Sequence, residues 1–251
     1  MTGPGRDIVF AAGGASLRFA HLAWDTEFFG RPSYALDSAG SAFGPAPAGS
    51  ARDLAAALDG AFVTAKLGAD VGLAPVHLLE EAGFRLVDTE IVLALRGSGP
   101  AAEVPAGVEV AEAGERRDLP CVEFGESFSL TRFHVDPRIG PAKAGRLWAE
   151  YLANFTPGPD DRMFLALAEG RPAGVVLTGR REGRVDVLYV AVLAGMRGRG
   201  VGSALLRRAA AAHPGEVVCT ATQARNVRAL DFYIANGFSR VLAAKTVLHR
   251  W

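Results

Sequence analysis

Cysteine is almost absent from this chain. Of 251 residues only Cys121 and Cys219 carry a thiol, and neither has a second Cys or a His at metal-ligand spacing. A disulfide framework and a structural zinc site are therefore not expected, and no metal is assigned. Net charge is missing too, since 27 basic residues balance 27 acidic ones. A nucleic-acid partner, which an overall basic balance announces, is not expected. No apolar run approaches the roughly 18 residues that span a bilayer, and no charged-then-apolar signal opens the chain. These absences lead to the expectation of a cytosolic protein with no membrane partner.

Apolar residues are plentiful, at 49% of the chain, enough for a sizeable core. The length suits one or two domains. Two stretches rich in Gly, Ala, Ser and Pro interrupt the pattern, Asp37–Arg52 and Gly97–Gly107. Both read as loops, and the second divides residues 1–100 from residues 105–251. The C-terminal part alternates elements. Strands are expected at Val108–Val110, Met163–Ala168, Ala173–Thr178, Val185–Val192 and Val217–Thr222, with short ones at Ser239–Leu242 and Thr246–His249. Helices are expected at Leu119–Phe128, Lys143–Asn154, Val201–Ala212 and from Asn226 to Gly237. Hairpins followed by β-α-β-α imply an α/β (α+β) fold, a mixed sheet flanked by helices.

The strongest local signal is Arg197–Gly198–Arg199–Gly200–Val201–Gly202, after a strand and opening a helix. Glycines let backbone approach a ligand closely. The first amides of a helix lack intrahelical partners, and the helix dipole favours an anion there. The amides of Val201, Gly202 and Ser203, with the charges of Arg197 and Arg199, suit a diphosphate. The surrounding segment is basic: Arg180, Arg181, Arg184, Arg197, Arg199, Arg207 and Arg208 face only Glu182 and Asp186. A nucleotide P-loop would need Lys-Ser/Thr after the last glycine, and a dinucleotide fingerprint would need different glycine spacing. A flexible turn is the plain alternative, and the strand–loop–helix order weighs against it.

The segment Asp186–Phe238 resembles the acetyl-CoA-binding core of the GNAT N-acetyltransferase superfamily. Arg197, Gly200 and Gly202 match its [Gln/Arg]-x-x-Gly-x-[Gly/Ala] hallmark. Asn226, Ala229, Phe232, Tyr233, Gly237 and Phe238 match a second signature about 25 residues on, and two motifs in order are more specific than one. The resemblance implies acetyl-CoA as co-substrate. It also implies that the backbone at Val190 and Val192 pairs with the pantetheine arm as an added strand would, that Asn226 and Phe232 lie near the CoA, and that Val192 N–H serves as oxyanion donor. Tyr233 falls where many such enzymes carry a general-acid tyrosine, and a phenol with pKa about 10 can protonate a thiolate. Plain packing of the helix is the other role open to it. Asp186 is a base candidate by register or a strand-start charge. His134 is a second base candidate or polar surface.

Internally, Glu81–Val87 resembles Ala235–Val241, with Leu79 where the later copy has Tyr233. Either the N-terminal part is a smaller, degenerate GNAT-like copy or the similarity is chance, since helix–Gly–Phe–strand is a common join; with the donor motifs all beyond Gly107, its expected task is to wall the acceptor pocket. The acceptor is expected to be a small-molecule amine. The run Ser127–Pro137 and the run Trp24–Gly30 resemble segments of dTDP-4-amino-dideoxysugar N-acetyltransferases, which implies a sugar nucleotide. Arg132, Phe133, His134, Trp24 and Phe29 are the candidate acceptor residues. Arg132 suits a diphosphate or pairs with Glu123 or Glu126, and core packing is the alternative for the aromatics. Another small amine, a peptide N-terminus and a non-catalytic acyl-CoA-binding module stay open, as does a monomer or homodimer.

Overall fold

The structure, a computed structural model, describes residues 5–95, 104–114, 118–181 and 183–251. It divides into two compact units, Met1–Glu90 with Ala243–Trp251, and Ile91–Leu242. The expected division lay in Gly97–Gly107, of which residues 97–103 fall outside the described residues. The chain passes between units inside strands, once after Glu90 and once after Leu242.

The first unit contains β1 (Ile8–Ala12), β2 (Ala15–His21), α1 (Ala23–Phe29), β3 (Ser33–Phe43), α2 (Ser50–Ala57), β4 (Phe62–Gly68), α3 (Ala74–Glu81) and the start of β5 (Arg85–Ala94). β1, β2 and β3 are antiparallel neighbours, while β3 and β4 run parallel. The core gathers one face of these strands, Leu17, Phe19, Leu36, Val63 and Leu67, against Leu54, Leu58 and Leu79 of the helical segments. Strand side chains alternate between faces, so every second residue points there. Asp37–Arg52, expected to be a loop, instead supplies part of β3 and the start of α2. Gly, Ala and Ser hide a strand whose middle, Ser38–Gly40, is exposed.

The second unit holds the end of β5, then β6 (Val108–Ala113), α4 (Cys121–Gly125), α5 (Arg132–Val135), α6 (Gly140–Ala153), β7 (Asp161–Ala168), β8 (Arg171–Arg181), β9 (Arg184–Val192), α7 (Val201–Ala211), β10 (Val218–Gln223), α8 (Val227–Ala235) and the start of β11 (Arg240–Arg250). The strands lie in the order β5-β10-β9-β8-β7-β6. β6 to β9 are antiparallel, and β10 joins β9 in parallel. β7 and β8 meet through the turn Glu169–Gly170, where both φ angles are positive (50° and 73°), as a tight hairpin requires. Both faces of this sheet are covered. Phe164, Val176 and Val185 pack toward Val201, Leu205 and Tyr233, whereas Leu165, Val175, Leu177 and Tyr189 pack toward Phe124 and Leu152. Coverage on both sides explains the unbroken apolar run Met163–Ala166.

Two expectations are corrected here. The helix expected at Leu119–Phe128 is only Cys121–Gly125, and a separate turn of helix stands at Arg132–Val135. The two short terminal strands are one, β11, whose tail from Lys245 to Arg250 pairs antiparallel with β4. Alanines 243 and 244 look like an interruption in sequence but have no trouble in an extended backbone.

Candidate active site

The second unit opens a cleft where two parallel strands part. β9 and β10 pair at Val185↔Val218 and Asp186↔Cys219, and Val185 N–H donates to Val217 O at 3.0 Å. Beyond that point no further β9–β10 pair forms. β9 goes on for six residues held by β8 alone. Its pairing with β8 skips from Val187 to Tyr189, so Leu188 is an extra residue, a bulge that bends the strand. Leu193 N–H donates to Ala173 O on the β8 side. By strand alternation the amides of Val190 and Val192 face the other way, into the parting. This is the open edge that an extended ligand arm needs.

The glycine loop stands at the head of this cleft. Gly200 is the N-cap of α7 with φ = 82°, a left-handed conformation that any side chain would strain. No side chain caps α7 and no acid sits in its first turn. The amides of Val201, Gly202 and Ser203 therefore start the helix without intrahelical partners. A Cβ at Gly202 would come within 3.0 Å of the Phe232 ring and 3.6 Å of Val192, which places Gly202, Phe232 and Val192 at one spot. Gly198 and Arg199 are exposed.

Arg197 reaches two backbone carbonyls. Its guanidinium is turned back onto backbone, with Nε donating to Val192 O at 3.2 Å and Nη2 to Ser127 O at 3.4 Å. It thus ties the glycine loop to the end of β9 and to the segment after α4. Asn226 caps α8, its Oδ1 accepting from Ala229 N–H at 3.3 Å.

Tyr233 is buried on α8 between Phe232 and Phe238. Burial pushes its hydroxyl above the ordinary phenol value, partly offset by the neighbouring Thr220. The Thr220 Oγ1 makes no hydrogen bond of good geometry, so the two groups are close rather than firmly bonded. Tyr233 stays protonated near neutrality. Asp186 lies at the closed end of the cleft, its Oδ1 receiving Arg184 Nε at 2.8 Å.

The acceptor candidates separate into two groups. Trp24 and Phe29 belong to the first unit, where Trp24 stacks on Phe28 and Phe29 packs against Phe62 and Trp251. Phe29 is buried there, a packing role. The others lie in the second unit. Phe133 is buried, and the Arg132 guanidinium rests over its ring at 4.1 Å. His134 lines a groove of about 650 Å³ with Val122, Glu126, Phe128, Ser129 and Arg146 among its walls. That volume is within the range of small-molecule sites. Arg132 and Phe133 are not part of its lining. Residues that sequence reasoning did not assign stand beside it: Thr131 Oγ1 is 2.8 Å from His134 Nδ1 and accepts from Trp148 Nε1–H at 3.2 Å. Phe128 stacks on Trp148 and meets Tyr189, which stacks on Tyr151. The Tyr189 hydroxyl is buried with no hydrogen-bond partner among the described residues, and burial pushes it far above the ordinary phenol value. Among the described residues, no cluster of His, Cys, Asp and Glu could hold a metal ion, and no helix is long and apolar enough to cross a membrane.

Residues 159–240, which include β7 to β10, the glycine loop and α8, match the acetyltransferase (GNAT) domain family. Solved structures agree over nearly the whole chain. A GCN5-related N-acetyltransferase from Kribbella flavida is similar with a TM-score of 0.62 at 16% identity, covering 97% of this chain and 89% of that one. A functionally unknown conserved protein from Staphylococcus epidermidis gives 0.64 at 10% identity, covering 97% and 94%. A tandem GNAT protein from the clavulanic acid biosynthesis pathway gives 0.57 at 18% identity, covering 98% and 84%. No curated protein matches the chain significantly. At these identities the likeness is one of fold. The fold is GNAT-like, and the chain has two compact units.

Proposed function

We propose that this protein is an N-acyltransferase that moves an acetyl group from acetyl-CoA to a primary amine, with the donor bound in the second unit. The observation that carries this reading is the parting of β9 from β10 beside an uncapped, glycine-opened helix. The open amides of Val190 and Val192 fit an amide-bearing arm. The amides of Val201, Gly202 and Ser203 fit its diphosphate, and Phe232 closes the space beside Gly202. Arg197 and Arg199 supply positive charge at the loop, and Asn226 holds the start of α8.

Each remaining role follows from the chemistry. The acetyl thioester supplies the electrophilic carbonyl. Val192 N–H steadies the negative charge that grows on the carbonyl oxygen when the amine attacks. Tyr233, kept protonated by burial, gives its proton to the departing thiolate. Asp186, on β9 itself and bonded to Arg184, is the candidate base.

For the acceptor we carry forward a nucleotide-linked amino sugar, supported by the likeness of Trp24–Gly30 and Ser127–Pro137 to segments of enzymes of that kind. One observation favours a second reading, a simpler amine with an apolar body: the groove beside His134 is walled mainly by Val122, Phe128, Pro141, Ala142 and Ala149. Thiol release from acetyl-CoA, measured against amino-sugar nucleotides and simple amines, separates the two. Calorimetry showing no acetyl-CoA binding to the folded protein overturns the acyltransfer reading altogether.

A further inference from the structure

The contacts of His134 decide what its ring can do. Trp148 Nε1–H is a donor only, so its 3.2 Å bond occupies a lone pair of Thr131 Oγ1. Thr131 is buried, and its own hydroxyl proton needs an acceptor. His134 Nδ1, at 2.8 Å, is the one bonded to it among the described residues. If Nδ1 carried the ring proton, the Thr131 proton would be left in a buried position with nowhere to go, a costly arrangement. The chain of donors therefore runs from Trp148 to Thr131 to His134. Nδ1 accepts, and the neutral ring keeps its proton on Nε2.

We propose that His134 is a neutral N–H donor rather than a proton acceptor, and that it reads an oxygen on the amine substrate bound in the groove between α4 and α6. This rests on the acyltransfer reading of the protein. The substrate class is an amine with an apolar or aromatic body that also bears a hydrogen-bond-accepting oxygen, carboxylate, phosphoryl or carbonyl. Three features of the site agree. The groove wall is largely apolar, with Phe128 presented toward it and backed by Trp148. The charged groups lining it are Glu126 and Arg146, one of each sign, so His134 adds a directional donor where net charge gives little selectivity. Burial also holds the ring neutral by lowering its proton affinity. An Nε2 that already carries a proton has no lone pair with which to take another from the amine. Thr131 and Trp148 are then positioning residues, which act through the ring.

The tautomer is tested without any substrate. Ring-nitrogen NMR of the full chain, with His134→Gln used to assign the signals, is expected to show a protonated Nε2 and a bare Nδ1. Thr131→Val is expected to mix the two tautomers. A protonated Nδ1 in the unaltered protein overturns the proposal. Phenylacetate and phenethylamine then probe the groove, since they share a body and differ in the oxygen. The His134 Nε2–H signal is expected to move with phenylacetate and to stay with phenethylamine; movement with both or with neither overturns the ligand class. In kinetics with an amine that is turned over, the Gln amide replaces the Nε2–H donor but cannot act as a base. His134→Gln should therefore raise the acceptor KM by less than His134→Ala does. His134→Ala should raise that KM by about tenfold, the scale of one lost neutral hydrogen bond. A loss of kcat by about 100-fold or more in His134→Gln makes His134 the base and ends the proposal. If no amine is turned over, the acyltransfer reading fails, while the ring NMR still judges the tautomer.

Discussion

The segment β3-α2-β4 of the first unit and the segment β9-α7-β10 of the second are built alike and differ where a ligand would lie. Each has a parallel pair that holds for only a few residues, three in β3–β4 and two in β9–β10. Each is followed by a helix that ends the same way. Phe84 N–H donates to Leu79 O at 2.9 Å, and Phe238 N–H to Tyr233 O at 3.0 Å. Gly83 and Gly237 take positive φ between them, the left-handed helix ending that suits glycine. Leu79 and Tyr233 are therefore equivalent positions. In the first unit, however, Ser38 Oγ donates to Lys66 O at 2.9 Å across the parting. Prolines 45 and 47 precede α2, and Asp53 sits in its first turn. In the second unit arginines precede α7, no acid opens it, and β9 keeps its free edge. One backbone plan serves both, and on the proposed function a few side chains decide which would receive an anionic, amide-bearing donor.

The sharpest way to break this comparison is at the equivalent pair. Tyr233→Phe should lower turnover by roughly 10²–10⁴-fold, the usual worth of general acid–base catalysis, and leave acetyl-CoA affinity nearly unchanged. Steady-state rates near normal would make Tyr233 a packing residue like Leu79. Next comes the loop. Gly202→Val puts branched carbons against Phe232 and the donor space, and should weaken acetyl-CoA binding by at least about 100-fold, about 2.8 kcal/mol. Ala51→Val, at the matching place in α2, should leave it unaltered. Calorimetry on both, with circular dichroism to confirm folding, decides whether only one parting takes the donor. Ser38→Ala removes the bridge in the first unit and should cost at most about 1 kcal/mol in denaturant unfolding, without creating a second acetyl-CoA site.

The smallest effect expected is one of pH. His134 and His213 are both held below the ordinary value of 6.5, in each case chiefly by burial. The unfolded chain binds these protons more readily than the folded one, so stability is full above about 6.5 and declines as pH falls from there toward the folded values. The thermal midpoint should drop between about pH 7 and 5, and less so in the variant carrying His134→Gln and His213→Gln. Equal slopes would assign the acid sensitivity to other groups.

The strand, glycine loop and helix of the candidate donor site were legible in sequence because they are local. Gly200, Gly202 and the strand before them lie within a dozen residues or so, and their chemistry is backbone chemistry. The bulge at Leu188 and the parting of the strands were not legible, since both depend on what β8 and β10 do alongside. The acceptor side was read only in part. His134 was singled out, but its partner Trp148 is on another helix, and the groove exists only once α4 lies along α6. There Gly125 has no room for a Cβ, which would stand 2.6 Å from Gly145 O. The reach of Arg197 was likewise not legible: beside a glycine loop its charge suggests a phosphate partner, and its side chain also grips carbonyls at the end of β9 and after α4.

The strands that change units have a consequence for the order in which the molecule can be finished. Residues 243–251 belong to the first unit, where Leu248 enters the core and Arg250 donates to the carbonyls of Ala55, Leu58 and Ala82. During synthesis the first unit must wait, its β4 edge unpaired by β11, while the whole second unit is made. The half that leaves the ribosome first is the half completed last, and a chain cut after Ala94 would never acquire the strand that closes it.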